Sequence, residues 1–183
     1  MMIPLIILDR DGVINQDSEE YIKSPEEWRP IPGSLAAIAR FTAHNIPVAI
    51  ATNQSGLARG LYTEKTLDAI HQKMCTLVEK LGGKIEYIAY CPHGPDDQCA
   101  CRKPKPGLIQ ACLSQWSLPA AEVPVIGDSY RDIEAAMAAG CYPILVKTGN
   151  GLKTLQKHPE LHEKIPVFDN LAAVADYLCP EST

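Results

Sequence analysis

The sequence predicts an α/β fold, a parallel sheet with helices on both faces. Three observations carry this expectation. Short, wholly apolar runs recur along the chain, as a strand buried on both faces requires. Longer stretches between them place apolar residues at helical spacing. The two kinds alternate, which is the pattern of strand–helix–strand winding.

Taken in order, Ile3–Leu8 is the first apolar run and reads as a buried strand. Pro32-Gly33-Ser34 opens a helix carrying Leu35, Ile38, Ala39 and Thr42. Ile46–Ala51 is the second strand. Thr63 can cap a longer helix with Leu67, Ile70, Met74, Leu77, Val78 and Leu81 on one face, and Gly82-Gly83 ends it. Ile85–Tyr90 is the third strand. A helix over Gly107–Trp116, a strand over Val123–Ile126 and an Ala-rich helix from Asp128 to Ala139 follow. Ile144–Val146 and Val167-Phe168 are the last strand candidates, and Leu171–Leu178 is a final helix. This is a Rossmann-like arrangement. The 183 residues suit one domain over the whole chain, 1–183.

Composition narrows the function. The chain is 46% apolar and 21% charged with a net charge of −5, and it has no long basic run. A nucleic-acid partner is not expected without a basic face. The start, MMIPLIILDRDG, is too short for a membrane span and lacks the layout of a signal peptide. The protein is therefore expected to be cytoplasmic and away from membranes. It is expected as well to be a monomer acting on a small molecule. Seven cysteines is an odd number, and Cys75, Cys112 and Cys141 read as plain buried thiols in a reducing compartment.

In open parallel sheets ligands bind beyond the carboxyl ends of the strands. Those ends read Asp9-Arg10-Asp11-Gly12, Thr52-Asn53-Gln54-Ser55, Cys91-Pro92-His93 and Gly127-Asp128-Ser129. An aspartate at such a turn is often only a helix cap. Asp9, Asp11 and Asp128 at one sheet edge repel one another, however, and a hard cation such as Mg²⁺ would relieve that. A carboxylate can also act as a nucleophile toward phosphorus. A second acid two residues on can protonate the leaving oxygen and then activate water. Thr52, Asn53 and Lys103 offer donors and charge for the phosphoryl oxygens.

The series LDRDGV, ATNQSG, a Lys before Pro, and GDSYRD, in that order on alternating strands, resembles the haloacid dehalogenase superfamily of phosphohydrolases. The resemblance covers nearly the whole chain. It implies that Asp9 is the nucleophile, Asp11 the general acid and base, and Thr52 and Lys103 the groups that hold the phosphoryl. It places Mg²⁺ on the Asp9 carboxylate, the Asp11 carbonyl and Asp128, with Asp132 as a supporting acid. The backbone and side chains of Asn53, Gln54 and Ser55 would lie against the substrate.

The stretch CPHGPDDQCACRKPKP holds Cys91, His93, Cys99 and Cys101. A disulfide pair is disfavoured in a reducing compartment, and a catalytic thiol is not needed where carboxylates explain the chemistry. Four N/S ligands suit a closed, structural tetrahedral Zn²⁺ site, a zinc-binding loop over 91–101. Such a clip would stabilise a loop that has no apolar core and would aim Arg102 and Lys103. The loop is similar to that of the superfamily branch containing heptose-bisphosphate and histidinol-phosphate phosphatases. In that branch Arg102 would contact the substrate. TNQSGLARG and RKPKPG resemble the heptose enzymes, and the short gap between His93 and Cys99 the histidinol-phosphate ones. The resemblance implies removal of the 7-phosphate of a heptose bisphosphate, feeding lipopolysaccharide synthesis, with histidinol phosphate as the alternative substrate.

Neither Gly12–Pro32 nor Asn53–Lys84 has room for a folded cap, so a capless, open site is expected. Asp17, Tyr21 and Arg59 are candidates for substrate contact, or equally solvated loop residues. A mutase would need a cover against water, and a binding module with a dead site would not need these acids. His44, His71, His158 and His162 read as surface or packing residues and Trp28 and Trp116 as packing anchors; the Gly-rich 147–151 could touch phosphate but lacks the P-loop pattern and reads as a plain loop.

Overall fold

The computed structural model describes residues 3–180; the first two and last three residues of the span read as one domain lie outside it. Six strands form one parallel sheet. They are β1 (Ile6–Leu8), β2 (Val48–Asn53), β3 (Tyr87–Cys91), β4 (Pro124–Gly127), β5 (Tyr142–Val146) and β6 (Val167–Phe168), ordered β3-β2-β1-β4-β5-β6. Register is continuous across the centre: Leu8 pairs with Ile50 of β2 and with Ile126 of β4. The order reverses at β1, so β1 and its two neighbours deliver their carboxyl ends to a common crevice.

The period of two along the first strand assigns its side chains to two cores. Ile6 and Leu8 join Trp28, Ile38, Phe41, Ile70, Met74 and Val174 on one face. Leu5 and Ile7 join Ile109, Cys112, Ala135 and Ala136 on the other. The first core is covered by α1 (Ser34–Ala43), α2 (Glu64–Lys80) and α7 (Leu171–Leu178), and the second by α3 (Gly107–Trp116) and α4 (Tyr130–Ala138). A smaller cluster of Ile133, Leu145, Leu155 and Leu161 seats α5 (Gly151–Lys157) and α6 (Leu161–Lys164).

The local chemistry explains the element ends. Thr63 Oγ1 accepts the Thr66 N–H at 3.2 Å and starts α2, while Asn170 Oδ1 accepts the Ala173 N–H at 2.9 Å and starts α7. The structure moves several expected boundaries. β1 begins at Ile6 rather than Ile3, and β2, β3 and β4 run on to Asn53, Cys91 and Gly127. The helix expected from Asp128 begins at Tyr130, because Asp128 stays at the strand end and Ser129 is the cap. The expected plain loop over 147–151 gives way to α5 at Gly151. Two short helices, α5 and α6, lack the length for a visible apolar period. Cys112 and Cys141 are buried thiols as expected, but Cys75 is only half-buried, since its side of α2 faces outward. No helix among the described residues is long and apolar enough to cross a membrane.

Between β1 and α1 the chain forms turns and two isolated bridges, Asp11 to Asn15 and Asn15 to Pro30. Between β2 and α2 it forms a turn over 55–62. Both segments rise beside the crevice as walls.

Candidate active site

Asp9 leaves β1 with its N–H bonded to Ile126 O at 2.9 Å, which sets its carboxylate over the β1–β4 boundary. Lys103 reaches it from the exit of the cysteine loop. The Lys103 ammonium lies 3.0 Å from Asp9 Oδ1 and 2.6 Å from Asp132 Oδ1, and donates to Ala51 O at 2.7 Å. Asp132 stands one helical turn after Asp128. Its second oxygen accepts the Ser129 N–H at 3.0 Å and the Ser129 hydroxyl at 2.8 Å, which fixes the head of α4.

Carboxylate oxygens of Asp9, Asp128 and Asp132 all lie within 4.8 Å of one another. Burial and the Asp132 charge push the Asp9 carboxyl up to about 7, against the pull of Lys103. Burial, Asp9 and Asp132 push Asp128 up to about 9. Burial works against the charged form of Asp132 too, but Lys103 outweighs it and holds that carboxyl below the usual range. Lys103 is itself held above its ordinary value by Asp132 and Asp9, although burial opposes its charge. One ammonium thus serves two acids, and the third is held by amides: Asp128 Oδ2 accepts the Asn150 N–H at 2.7 Å. An all-oxygen donor set with this excess of negative charge fits a hard divalent cation.

The sequence reading groups Asp9, Asp11 and Asp128 as the converging acids. The third carboxylate of the cluster is Asp132, because the Asp11 side chain is committed elsewhere. Asp11 Oδ1 accepts from Arg10 Nη2 at 2.9 Å and from Asn15 Nδ2 at 2.9 Å, and Oδ2 accepts from Gln54 Nε2 at 3.0 Å. Burial alone would raise Asp11, but Arg10 and these donors bring it below its usual value. Arg10 is fully buried, with Nη1 3.2 Å from His71 Nε2. Burial and the adjacent guanidinium push His71 down to about 3, so it meets Arg10 as a neutral acceptor. Neither Arg10 nor His71 was expected in the site. The acid-flanked position of Arg10 in DRD was the available signal for it, whereas His71 offers none.

A cavity of about 400 Å³ opens above these groups. Asp9, Asp11, Asp17, Tyr21, Asn53, Gln54, Ser55, Arg59, Arg102, Lys103 and Asp128 all line it, so the structure brings the expected residues to one place. Thr52 does not line it. That residue is fully buried, and its hydroxyl accepts from Gln54 Nε2 at 2.9 Å. Asn53 is at the rim, but its amide is bonded twice to the Lys103 backbone, Nδ2 to O at 3.1 Å and N–H to Oδ1 at 3.0 Å. It thereby registers the lysine against the end of β2. The Arg59 guanidinium stands 5.8 Å from the centre of the Tyr21 ring, and Tyr21 adopts the left-handed conformation at φ 67°. Arg131 and Asn150 also line the cavity and were not expected there. Arg131 was visible as the one basic residue between Asp128 and Asp132.

The cysteine loop forms the opposite rim. Cys91 Sγ lies 3.5 Å from His93 Nδ1, 3.7 Å from Cys99 Sγ and 3.1 Å from Cys101 Sγ, and His93 Nδ1 is 3.3 Å from Cys101 Sγ. These four ligand atoms converge as a second potential metal cluster. The Arg102 N–H points at Cys99 Sγ at 3.4 Å, and its guanidinium reaches His93 O at 3.4 Å.

Two family models match the chain: one described as HAD-hydrolase-like over residues 100–174, and one as polynucleotide kinase 3 phosphatase over residues 5–130. The D-glycero-beta-D-manno-heptose-1,7-bisphosphate 7-phosphatase of Bordetella bronchiseptica is 54% identical over 97% of this chain and 99% of its own length. The protein of the same name from Pseudomonas putida is 53% identical over 93% and 97%. The crystal structure of the B. bronchiseptica enzyme, complexed with magnesium and phosphate, superposes with a TM-score of 0.93 over 97% of this chain and 99% of that one. The D,D-heptose 1,7-bisphosphate phosphatase from Burkholderia thailandensis, at 40% identity over 96% of this chain and 98% of that one, gives 0.74. With its four motifs on adjacent strand ends and this likeness along nearly its full length, the chain belongs to the haloacid dehalogenase-like hydrolases, in the family of the D-glycero-D-manno-heptose-1,7-bisphosphate 7-phosphatases.

Proposed function

We propose that this protein is a Mg²⁺-dependent phosphatase that hydrolyses the 7-phosphate of D-glycero-D-manno-heptose 1,7-bisphosphate through an aspartyl-phosphate on Asp9. The product, heptose 1-phosphate, would serve ADP-heptose and lipopolysaccharide core synthesis. The observation that carries the reading is the Lys103 ammonium set between Asp9 and Asp132 at the floor of a polar cavity. The likeness to the heptose phosphatases supports the substrate.

In this reading an Asp9 oxygen attacks phosphorus while the bond to the sugar oxygen breaks. Asp11 gives its proton to that leaving oxygen. Water then attacks the phosphorus of the aspartyl-phosphate, its proton passes to Asp11, and Asp9 is freed with release of inorganic phosphate. The Gln54, Asn15 and Arg10 donors favour the carboxylate form of Asp11, which suits the second half of the cycle. Lys103 neutralises charge on the transferring group, and Thr52 acts through Gln54. Asp9, Asp128 and the Asp11 carbonyl would hold Mg²⁺. When bound, the ion offsets the charge of the phosphate oxygens. Asp17, Tyr21, Arg59 and Arg102 would contact the sugar and its other phosphate.

We also assign the Cys91, His93, Cys99 and Cys101 cluster to structural Zn²⁺. Tetrahedral zinc–sulfur bonds of about 2.3 Å place sulfurs about 3.8 Å apart, and the Cys91–Cys99 separation of 3.7 Å is close to that. The chain would act as one capless domain, monomeric and in the cytoplasm.

The deciding experiment is a side-by-side measurement of kcat/KM on both anomers of the heptose bisphosphate and on histidinol phosphate. A clear preference for histidinol phosphate would overturn the substrate assignment.

A further inference from the structure

The turn after β5 and the start of α5 reach the site at four acceptor atoms. Thr148 Oγ1 donates to Gly12 O at 2.6 Å, and Thr154 Oγ1 donates to Asp128 O at 3.0 Å. The Asn150 N–H donates to Asp128 Oδ2 at 2.7 Å. The Asn150 side-chain amide donates to Asp17 Oδ2 at 2.9 Å and lies 3.4 Å from Asp128 Oδ2. Asp17 belongs to the wall segment and Asp128 to the floor, and both line the cavity. A looser pair, Lys153 to Glu19 at 3.7 Å, joins the same two segments.

Two carboxylates facing one cavity repel each other. A neutral amide nitrogen has two hydrogens and can face both without adding a charge. A lysine here would cancel the negative charge that a cation needs, and an acid would add to the repulsion. Asn150 satisfies both limits.

We propose that Asn150 is a positioning residue that ties the wall carboxylate of Asp17 to the floor carboxylate of Asp128, so that Mg²⁺ affinity and sugar recognition are set together. The proposal rests on the reading of Asp128 as a Mg²⁺ ligand and Asp17 as a substrate contact. Loss of the amide should loosen both, because one group orients both acids.

The test is Mg²⁺ binding by titration calorimetry to the intact protein and to Asn150→Ala, together with KM for the heptose bisphosphate at saturating Mg²⁺. Asn150→Ala should weaken Mg²⁺ binding by about 3- to 10-fold and raise KM by about tenfold, with kcat falling less; lost partners of ligating groups have effects of this order. Asn150→Asp should weaken Mg²⁺ binding less than the alanine variant or strengthen it, by adding charge, yet raise KM at least as much, by repelling Asp17. Asp17→Asn combined with Asn150→Ala should raise KM no further than the larger single change. Unchanged Mg²⁺ affinity, within twofold, or additive KM effects would overturn the proposal. Should Asn150→Ala fail to fold by melting, Asn150→Ser takes its place under the same criteria. If the unmodified protein ignores the heptose substrate but binds Mg²⁺, the substrate reading fails and the calorimetric comparison still decides the role of Asn150. If the unmodified protein binds no Mg²⁺, the reading of Asp128 fails, and the clamp with it.

Discussion

The acids at the floor of the cavity and the cysteines at its rim are built on opposite plans. The acids stand on strand ends and a helix cap, with Asp128 and Asp132 almost wholly buried and a protein partner for Asp9 Oδ1, Asp128 Oδ2 and both oxygens of Asp132. The cysteines and His93 sit at the end of one strand and along a loop whose tip, Pro95 to Gln98, is exposed. Packing of the sheet places the first cluster before any ion arrives. The second leans on fewer contacts, chiefly the burial of Cys91 and the reach of Arg102 to Cys99 Sγ and His93 O. An ion at the acids should therefore alter chemistry more than shape, and an ion at the cysteines shape more than chemistry.

The sharpest break is Asp9→Asn. It should lower kcat by at least about four orders of magnitude, as loss of a nucleophile does, while the circular dichroism spectrum and the zinc content stay as they were. Activity retained in that variant would remove the aspartyl-phosphate.

Cys101→Ser should do the reverse. About one equivalent of zinc should be lost by metal analysis, the melting temperature should fall, and kcat should fall by about 10- to 100-fold. The loss of activity would come through displaced Arg102 and Lys103. Full zinc content in that variant would refute the assigned ligand set, and full activity without zinc would uncouple the loop from the acids.

Next comes pH. Asp9 and Asp128 keep their protons up to about 7 and about 9 in the folded chain, against an ordinary value of 3.8. From about pH 4 upward these two acids hold protons in the folded state that the unfolded state has lost, so their contribution falls as pH rises. Asp11 and Asp132 act the other way only as pH falls through and below 3.8, whereas His71, pushed down to about 3, and metal-free Cys99, drawn down to about 6, oppose the two acids up to about 6.5 and 9. In chelator the urea midpoint should drop between pH 5 and 7 and level off above. Mg²⁺ at the acids should flatten that slope by displacing their protons, and zinc, which binds thiolates, should add a rise of its own with pH. A midpoint indifferent to pH in chelator would mean that the acids are less strained than their burial indicates.

The smallest expected effect is Tyr62→Phe, which removes the 2.6 Å bond to Gln54 Oε1. About 1 kcal/mol of stability should be lost by denaturant titration, with a modest fall in kcat as Gln54 loosens its hold on Asp11.

Much of this was legible in the sequence because strand ends announce themselves. Apolar runs ending in Asp9, Thr52, Cys91 and Asp128 place four polar clusters at one sheet edge. What stayed hidden depended on side-chain direction. DRD does not reveal that Asp11 turns to Arg10, nor TNQ that Asn53 spends its amide on the Lys103 backbone. Asn150 was out of reach for another reason. Its partners lie 133 and 22 positions away, and only the crossing of the β5 turn over the β1 turn brings them together.

That crossing has a consequence for anyone who would rebuild the site. Gly12 and Gly149 meet beside the Asp128 carboxylate with φ of +84° and +56°, and a β-carbon would fall 2.0 Å from Asp128 Oδ2 at the first and 2.2 Å at the second. The two bare positions form an indivisible unit. Transplanting the acids to another scaffold would not carry the site with them; the portable part is the gap in the backbone that lets Asp128 stand where it does.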